Sequence, residues 1–319
     1  MHVIFAGTPA PAVSVLEALV ESGHSVCAAL TRPDRPTGRG RKSAPPPVKE
    51  SARRHGIPLL QPENINSPES LDEIKTLAPD AAVVAFYGRI IGKEMLALPK
   101  NGWLNIHPSL LPKYRGPSPV AAAILNGDKK TGVTVIKLDE GMDSGPILIQ
   151  ETYDIHEDEN AGELLIRLAR AGAALIPKAL DSLERGDALI IPQDEDAATV
   201  TGMFKKSDGI IDWSRKNIHD FVRAMSPWPG ARARLHVNAA DSDVDLTVCR
   251  TGIPAQTTSS EAAPGTIISI THEGILVRDA CSEIFITAVK AAGKKEVPAR
   301  DFANGCRVKA GDRFIKITK

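Results

Sequence analysis

Short apolar runs alternate with segments of helical spacing over the first 150 residues of the chain. The apolar runs predict strands at Val3–Ala6, Val26–Thr31, Ala81–Phe86, Trp103–His107, Val133–Lys137 and Ile147–Tyr153. Helical spacing, proline-rich starts and serine N-caps predict helices at Pro11–Glu21, Pro47–His55, Pro68–Leu77, Pro119–Asn126 and Ala161–Arg185. Because strands that alternate with helices form parallel sheets, we expect an α/β fold with a Rossmann-like, mostly parallel sheet and helices on both faces.

The pattern changes near residue 205. One short helix is predicted at Ile218–Met225, and the prolines of Pro227-Trp228-Pro229-Gly230 end it. Short strands separated by turns are then predicted at Arg232–Val237, Leu246–Arg250, Gly265–Ser269, Ile275–Arg278, Ile284–Val289 and Arg313–Ile317. Such spacing is typical of a small antiparallel barrel. We therefore expect a Rossmann-like domain at 1–205 and a smaller, OB-like β-barrel domain at 206–319.

Composition excludes several classes of protein. The 319 residues carry 39 basic and 39 acidic side chains, so the formal net charge is zero. No apolar stretch reaches the roughly 20 residues that span a bilayer, and the first residues lack the features of a signal peptide. The four cysteines lie far apart without a C-x-x-C pair, which argues against a metal site. We expect a cytoplasmic protein without a membrane partner or a metal and, since no long heptad pattern occurs, a monomer.

The neutral total conceals two basic regions. Residues 206–319 carry 17 basic and 13 acidic side chains, an excess that favours a polyanionic partner. In the segment 31–42, five cations surround a single acid, and these are Arg32, Arg35, Arg39, Arg41 and Lys42. Its glycines and prolines are expected to keep this segment from forming helix or strand. A flexible basic loop of this kind suits nucleic-acid phosphates, and the alternative is a solvated loop without a partner.

The densest group of reactive side chains follows the predicted strand at Trp103–His107. Asn105 and His107 share one face of that strand, at the sheet edge where open α/β folds bind ligands. The acidic, glycine-rich loop 139–146 lies between two predicted strands and could bring a carboxylate to the same edge. Taken alone, these features are about equally compatible with a catalytic site and with a structural histidine beside a solvated turn.

An Asn, a His and a carboxylate together suit acyl transfer. The Asn amide and a protonated His would stabilise the oxyanion of a tetrahedral intermediate, and the carboxylate would help to remove the proton of the nucleophile. The chain has no G-x-S-x-G or similar motif that would supply a serine or cysteine nucleophile. Direct attack by an acceptor amine or by water therefore fits better than a covalent enzyme intermediate.

Several sequence motifs resemble those of the folate-dependent formyltransferases. They occur in the family's order at 5–9, 31–42, 109–116, 132–134, 227–229, 264–267 and 292–295, along nearly the whole chain. Within this family the chain is most similar to members that formylate the methionine carried by initiator tRNA. The resemblance implies transfer of the formyl group of 10-formyltetrahydrofolate to that methionine's α-amino group, in translation initiation.

The resemblance also assigns roles to residues of this chain. It implies that Asn105, His107 and Asp143 are catalytic. It implies folate contacts at Ser109, Leu110, Leu111, Pro112, Phe86, Tyr87 and Gly88. The tRNA contacts that it implies are Arg32, Arg35, Arg39, Arg41 and Lys42, together with backbone contacts from the barrel domain.

Two other functions stay open at this point. The same chemistry could act on a small amine, either glycinamide ribonucleotide or a nucleotide-linked amino sugar, although the basic second half would then have no purpose. A non-catalytic RNA-binding protein is a further alternative, and the presence of Asn105, His107 and Asp143 argues against it.

Overall fold

The computed structural model describes residues 1–37, 42–256 and 261–317. Their contacts divide the chain into two compact units. Unit 1 comprises Met1–Pro119, Lys130–Asp154 and Leu165–Thr201, and unit 2 comprises Val120–Lys129, Ile155–Leu164 and Gly202–Lys319. These units are defined by contacts within the structure. The predicted division into a domain at 1–205 and a domain at 206–319 concerns folding and function, and it stays a prediction.

Unit 1 contains a seven-stranded sheet in the order β5-β2-β1-β6-β7-β8-β9. The strands of unit 1 are β1 (His2–Gly7), β2 (Ser25–Leu30), β3 (Arg35–Thr37), β4 (Lys42–Ala44), β5 (Leu59–Leu60), β6 (Ala81–Ala85), β7 (Trp103–His107), β8 (Lys130–Lys137) and β9 (Ile147–Asp154). The strands from β5 to β7 pair in parallel, whereas β8 and β9 pair antiparallel. The expected Rossmann-like, mostly parallel sheet is confirmed.

Helices cover both faces of this sheet. The helices of unit 1 are α1 (Ala10–Glu21), α2 (Pro47–Arg54), α3 (Pro68–Leu77), α4 (Lys93–Leu96) and α6 (Ala161–Arg185), of which α6 belongs to unit 1 from Leu165 onward, whereas α5 (Pro119–Leu125) belongs to unit 2 from Val120 onward. On one face, Trp103 of β7 belongs to a core cluster with Ile74 of α3 and Met95 of α4. On the other face, Ile106 packs so closely on Gly172 of α6 that a Cβ there would overlap it. Burial of β1 and β6 on both sides explains their unbroken apolar sequences.

Unit 2 contains an antiparallel sheet that closes almost into a barrel. Its strands are β10 (Ala231–Val237), β11 (Ser242–Gly252), β12 (Ile267–Ile270), β13 (Ile275–Arg278), β14 (Glu283–Ala291), β15 (Val297–Pro298) and β16 (Arg313–Ile315). The order is β12-β13-β14-β11-β10-β16, and a bridge from Thr266 to Arg313 links its two ends. Trp213 stacks on Phe314 with ring centroids 4.6 Å apart. The expected OB-like barrel is confirmed.

Helix α7 (Ile218–Met225) fastens the segment 156–159 within unit 2. Arg223 is buried and donates to the carbonyl oxygens of His156 at 2.9 Å and Glu159 at 3.0 Å. Nε2 of His219 lies 3.0 Å from the carbonyl oxygen of Glu157. Arg223 and His219 therefore supply hydrogen-bond partners to carbonyl oxygens that lie outside any helix or sheet.

Some elements differ from the predictions. The basic segment was expected to form no strand, but β3 and β4 pair there as a short hairpin. The small elements α4, β5 and β15 were not predicted, nor was the helix α8 (Ala299–Cys306) of unit 2. α8 begins after Pro298 without a side-chain cap and contains Asn304 and Gly305, which are poor helix formers, so its sequence carries a weak signal. None of the helices in the described part of the chain combines the length and the apolar sequence that a membrane span requires.

Candidate active site

Asn105 and His107 lie at the carboxyl end of β7, inside the sheet between β6 and β8. Because side chains alternate along a strand, both point from the same face. Asn105 is half-buried, and only 4% of His107 is exposed. Because β7 is paired on both sides, its backbone is rigid, and the Cα atoms of Asn105 and His107 are held in place.

Asp143 lies in the loop between β8 and β9. Its backbone is left-handed, with φ of +53°, a conformation that Asp tolerates better than most residues. Ser144 donates from its hydroxyl to Oδ1 of Asp139 at 2.8 Å, which tightens the loop. A Cβ at Gly145 would overlap the carbonyl oxygen of Lys137, so the loop returns against the end of β8 at a distance that only glycine permits. The carboxylate of Asp143 is thereby held over the end of β7.

The three side chains that the motifs assigned to catalysis meet in the structure. Nδ2 of Asn105 donates to Oδ1 of Asp143 at 3.3 Å, and Nδ1 of His107 lies 3.5 Å from Oδ2 of Asp143. The backbone N–H of Gly116 donates to the same Oδ2 at 2.8 Å. One carboxylate therefore contacts an amide, an imidazole and a backbone donor. Their catalytic roles stay a prediction.

The other ring nitrogen of His107 is held by the loop that follows β7. Nε2 lies 2.9 Å from the carbonyl oxygen of Tyr114, which can only accept, so Nε2 carries a hydrogen. Burial lowers the pKa of His107, and the carboxylate of Asp143 and the carbonyl of Tyr114 pull it upward. Nδ1 is the atom that gains or loses a proton, and it faces Asp143. The arrangement can therefore hold, donate or accept one proton at a defined place.

The segment 109–112 is built into the fold by both side chain and backbone. Ser109 is fully buried, donates to the carbonyl oxygen of Lys113 at 2.7 Å, and accepts from Thr134 through its own carbonyl at the same distance. Leu111 is also buried, whereas Leu110 and Pro112 are half-buried. Of the four side chains with a predicted folate contact here, those of Leu110 and Pro112 are thus the accessible ones.

Comparison with known proteins shows which family the chain belongs to. A family model described as "Formyl transferase" matches residues 1–180, and one described as "Formyl transferase, C-terminal domain" matches residues 203–307. The chain belongs to the formyl transferase family. The resemblance read from the motifs is confirmed.

The relatives cover nearly the whole chain. A protein named methionyl-tRNA formyltransferase from Citrifermentans bemidjiense is 42% identical over 98% of this chain and 95% of its own length. A protein of the same name from Geobacter sulfurreducens is 40% identical over 98% of this chain and 96% of its own length. Among solved structures, HypX from Aquifex aeolicus in complex with tetrahydrofolic acid has a TM-score of 0.61 and 18% identity over 96% of this chain and 47% of that chain. This last likeness concerns the fold alone.

The segment Phe86-Tyr87-Gly88, for which the resemblance implies folate contacts, follows β6, the strand beside β7. Phe86 and Gly88 both have left-handed backbones, with φ of +53° and +68°. Tyr87 points into the core with 2% exposure, and burial raises its pKa. Phe86 is half-buried, so of the two aromatic rings it is the one that a ligand can reach. The contacts predicted for these residues stay predictions.

The five basic residues assigned to tRNA lie in different situations. Arg32 donates to the carbonyl oxygen of Gly88, so it supports the loop after β6. Arg35 is exposed at the start of β3. Arg39 and Arg41 lie outside the described residues, and Lys42 begins β4. The single acid of this segment, Asp34, is bound by Gln61 and Lys49, which lower its pKa.

The structure adds residues that no sequence pattern predicted. Gln193 and Thr199, in the segment after α6, contact the loops that hold Asp143 and His107. Arg115 was noted only as part of a family motif, yet it is buried at 7% exposure and binds Gln193 and Glu195. Nothing in the sequence signalled this role, because the burial that makes a partner necessary is visible only in the structure. The position of that partner, about 80 residues later, was not visible in the sequence.

Proposed function

We propose that this chain transfers the formyl group of 10-formyltetrahydrofolate to the α-amino group of methionyl-initiator tRNA. The acceptor is supported by relatives named methionyl-tRNA formyltransferase, which are 40% and 42% identical along nearly the whole chain. The chemistry rests on one geometric observation: Asn105 and His107 lie 3.3 Å and 3.5 Å from the carboxylate of Asp143.

In the proposed mechanism the amine of the acceptor attacks the formyl carbon, and negative charge develops on the formyl oxygen. The amide of Asn105 and protonated Nδ1 of His107 donate to that oxygen, since Nε2 is bound to the carbonyl of Tyr114. A preorganised donor of this kind is worth about 2.7–4 kcal/mol. Asp143 takes the proton of the amine, directly or through water, and stabilises the imidazolium. The bond between the formyl carbon and the folate nitrogen then breaks, and that nitrogen takes up a proton.

We place the folate cosubstrate beside these three residues, along the ends of β6 and β7. The side chains of Phe86, Leu110 and Pro112 are apolar and half-buried, as the flat faces of a pterin require. The backbones of Ser109 and Leu111, and the loop of Tyr87 and Gly88, would complete the contacts. No metal ion is needed for this reaction, and we expect full activity in the presence of a chelator.

We also propose that residues 206–319 and the basic segment 32–42 bind the tRNA. The excess of basic side chains in the barrel half supports the first assignment. The cations at Arg35, Arg39, Arg41 and Lys42 support the second, because phosphate binding by such groups releases counterions. Arg32 contributes to this segment through its bond to Gly88. We expect the protein to act in the cytoplasm as a monomer, which sedimentation velocity would test for the purified chain.

The decisive experiment offers several acceptors to one donor. The purified full chain is incubated with 10-formyltetrahydrofolate and, in separate reactions, with methionyl-initiator tRNA, free methionine, glycinamide ribonucleotide or a nucleotide-linked amino sugar. We expect the formyl group on the methionyl-tRNA alone. Formylation of a small amine would move the chain to the other acceptor class, and RNA binding without any transfer would remove the enzymatic assignment.

A further inference from the structure

We propose that Gln193 is a positioning residue, which sets the carboxylate of Asp143 by holding the backbone of its loop. This inference rests on the formyl transfer proposed for Asn105, His107 and Asp143. Gln193 does not contact those three side chains in any described bond. It acts instead on main-chain carbonyls of the loop between β8 and β9.

The side chain of Gln193 is bonded at both ends. Its Nε2 donates to the carbonyl oxygens of Asp143 and Gly145, each at 2.7 Å. Its Oε1 accepts from Nε and Nη2 of Arg115, at 3.0 Å and 2.9 Å. Because a guanidinium only donates and a carbonyl only accepts, the network permits one orientation of the amide. Gln193 is therefore a rigid link between Arg115 and the Asp143 loop.

Arg115, which binds the other end of the Gln193 side chain, is itself held in place by hydrogen bonds. Its guanidinium is buried and forms two bonds with the carboxylate of Glu195, at 2.8 Å and 2.7 Å. Bidentate pairs of this kind are strong and strongly directional. The bonds with Glu195 raise the pKa of Arg115, which is charged at every relevant pH. Its neighbour Gly116 donates the backbone N–H that Oδ2 of Asp143 accepts.

The loop needs such support because of its own geometry. Asp143 has a left-handed backbone, and residues in this region are retained only where their surroundings hold them. Gln193 binds the carbonyls of Asp143 and Gly145, so it fixes the first and the third peptide planes after Asp143. Without these bonds the loop could relax, and the carboxylate would move relative to Asn105 and His107.

The same segment also holds the partner of His107. The hydroxyl oxygen of Thr199 accepts from the backbone N–H of Tyr114 at 2.8 Å, and the carbonyl of Tyr114 binds Nε2 of His107. Backbone bonds join Arg115 to Thr199 at 2.8 Å and to Thr201 at 2.7 Å. The segment 193–201 therefore braces both sides of the candidate site, and Gln193 is its contact with the acid.

The test compares Gln193→Ala and Gln193→Glu with Asp196→Ala in the full chain. Asp196 is exposed in the same segment, so its replacement controls for changes there. Gln193→Glu keeps an acceptor for Arg115 but loses both donors. We expect both Gln193 variants to lower kcat by about tenfold to a hundredfold, with KM for the folate and the acceptor within about twofold of wild type. Wild-type kcat in Gln193→Glu, or an equal loss in Asp196→Ala, would overturn the proposal.

A second measurement does not depend on the acceptor. The pKa of His107 is measured by NMR on histidine-labelled wild type and Gln193→Ala, with His107→Gln used to assign the signal. The groups that face His107 are the Asp143 carboxylate, which pulls its pKa upward, and the Tyr114 carbonyl. If Gln193 positions Asp143, the pKa of His107 falls in the variant, and an unchanged pKa would contradict the proposal. A wild-type chain that fails to formylate methionyl-tRNA would instead refute the proposed function, and the NMR result would still be readable.

Discussion

Nδ1 of His107 faces Oδ2 of Asp143 at 3.5 Å, while Nε2 of the same ring binds the carbonyl oxygen of Tyr114 at 2.9 Å. The ring is therefore held in one orientation, and its titrating proton is assigned to Nδ1. A histidine with a single partner could rotate and exchange the roles of its nitrogens. Here the carbonyl of Tyr114 prevents that exchange.

Removal of the imidazole or of the charge at Asp143 should abolish most of the activity. We expect His107→Ala and Asp143→Asn each to lower kcat by at least about a hundredfold, a typical contribution of general acid–base catalysis. Formylation of methionyl-tRNA under single-turnover conditions measures the effect. Glu140→Gln is the matched control, because Glu140 is exposed in the same loop and pairs only with the exposed Lys93 among the described contacts. Near-normal rates in either active-site variant would remove the assigned roles.

The stability of the chain should depend on pH through His107. Burial lowers its pKa in the folded state, so the unfolded chain binds more protons near the ordinary histidine value of about 6.5. The contribution of His107 to the free energy of unfolding should then be constant above that value and decline as the pH falls below it. Urea denaturation at about pH 8 and about pH 5.5 should show a larger loss for wild type than for His107→Gln. Equal losses in the two proteins would contradict the lowered pKa.

Two glycines of one loop should respond differently to alanine. A Cβ at Gly145 would overlap the backbone oxygen of Lys137, whereas one at Gly141 would overlap only the hydroxyl of Ser144, which can rotate away at the loss of its bond to Asp139. We expect Gly145→Ala to cost about 1–3 kcal/mol of stability and to lower kcat at least tenfold, because the loop that carries Asp143 must shift. Gly141→Ala should stay within a few-fold of wild type. Thermal denaturation and formylation rates measure both effects. A Gly145→Ala variant as stable and as active as Gly141→Ala would show that the loop tolerates the displacement.

The basic segment should act on tRNA through charge. We expect the double variant Arg39→Gln, Arg41→Gln to weaken tRNA binding and to make the negative slope of log affinity against log salt shallower by about 1.8, since each phosphate contact contributes about 0.9. Filter binding of methionyl-tRNA across a range of salt concentrations measures this slope. The control variant Lys75→Gln, Lys100→Gln removes the same charge from exposed positions elsewhere. If the slope is unchanged, these arginines do not contact phosphates.

Much of the fold could be predicted because its elements carry local signals. Ser67 accepts from the backbone of Ser70 as an N-cap, and α3 has the bounds that this cap predicts. The spacing of apolar residues fixed the bounds of α6 and α7 in the same way. The antiparallel pairing of β8 and β9 was not predicted, because strand direction depends on the connection between strands and not on side-chain pattern.

The candidate site was only partly visible in the sequence. Asn105 and His107 are two residues apart in one strand, so their shared face follows from local geometry. Asp143 required the family motif, since spacing alone did not choose among the acids of its loop. Gln193 could not be found, because it acts on backbone carbonyls 50 and 48 residues away, and any sequence presents such carbonyls.

The bonds from α7 to the segment 156–159 have a consequence for how this protein can be dissected. A fragment that stops at residue 205 would retain the carbonyls of His156, Glu157 and Glu159 but lose Arg223 and His219, which bind them. In such a fragment the segment before α6 would be unsupported. Weak tRNA binding or low activity of the fragment would then reflect this local unfolding and not the loss of a tRNA-binding surface. Dissection by point substitution in the intact chain avoids the artefact.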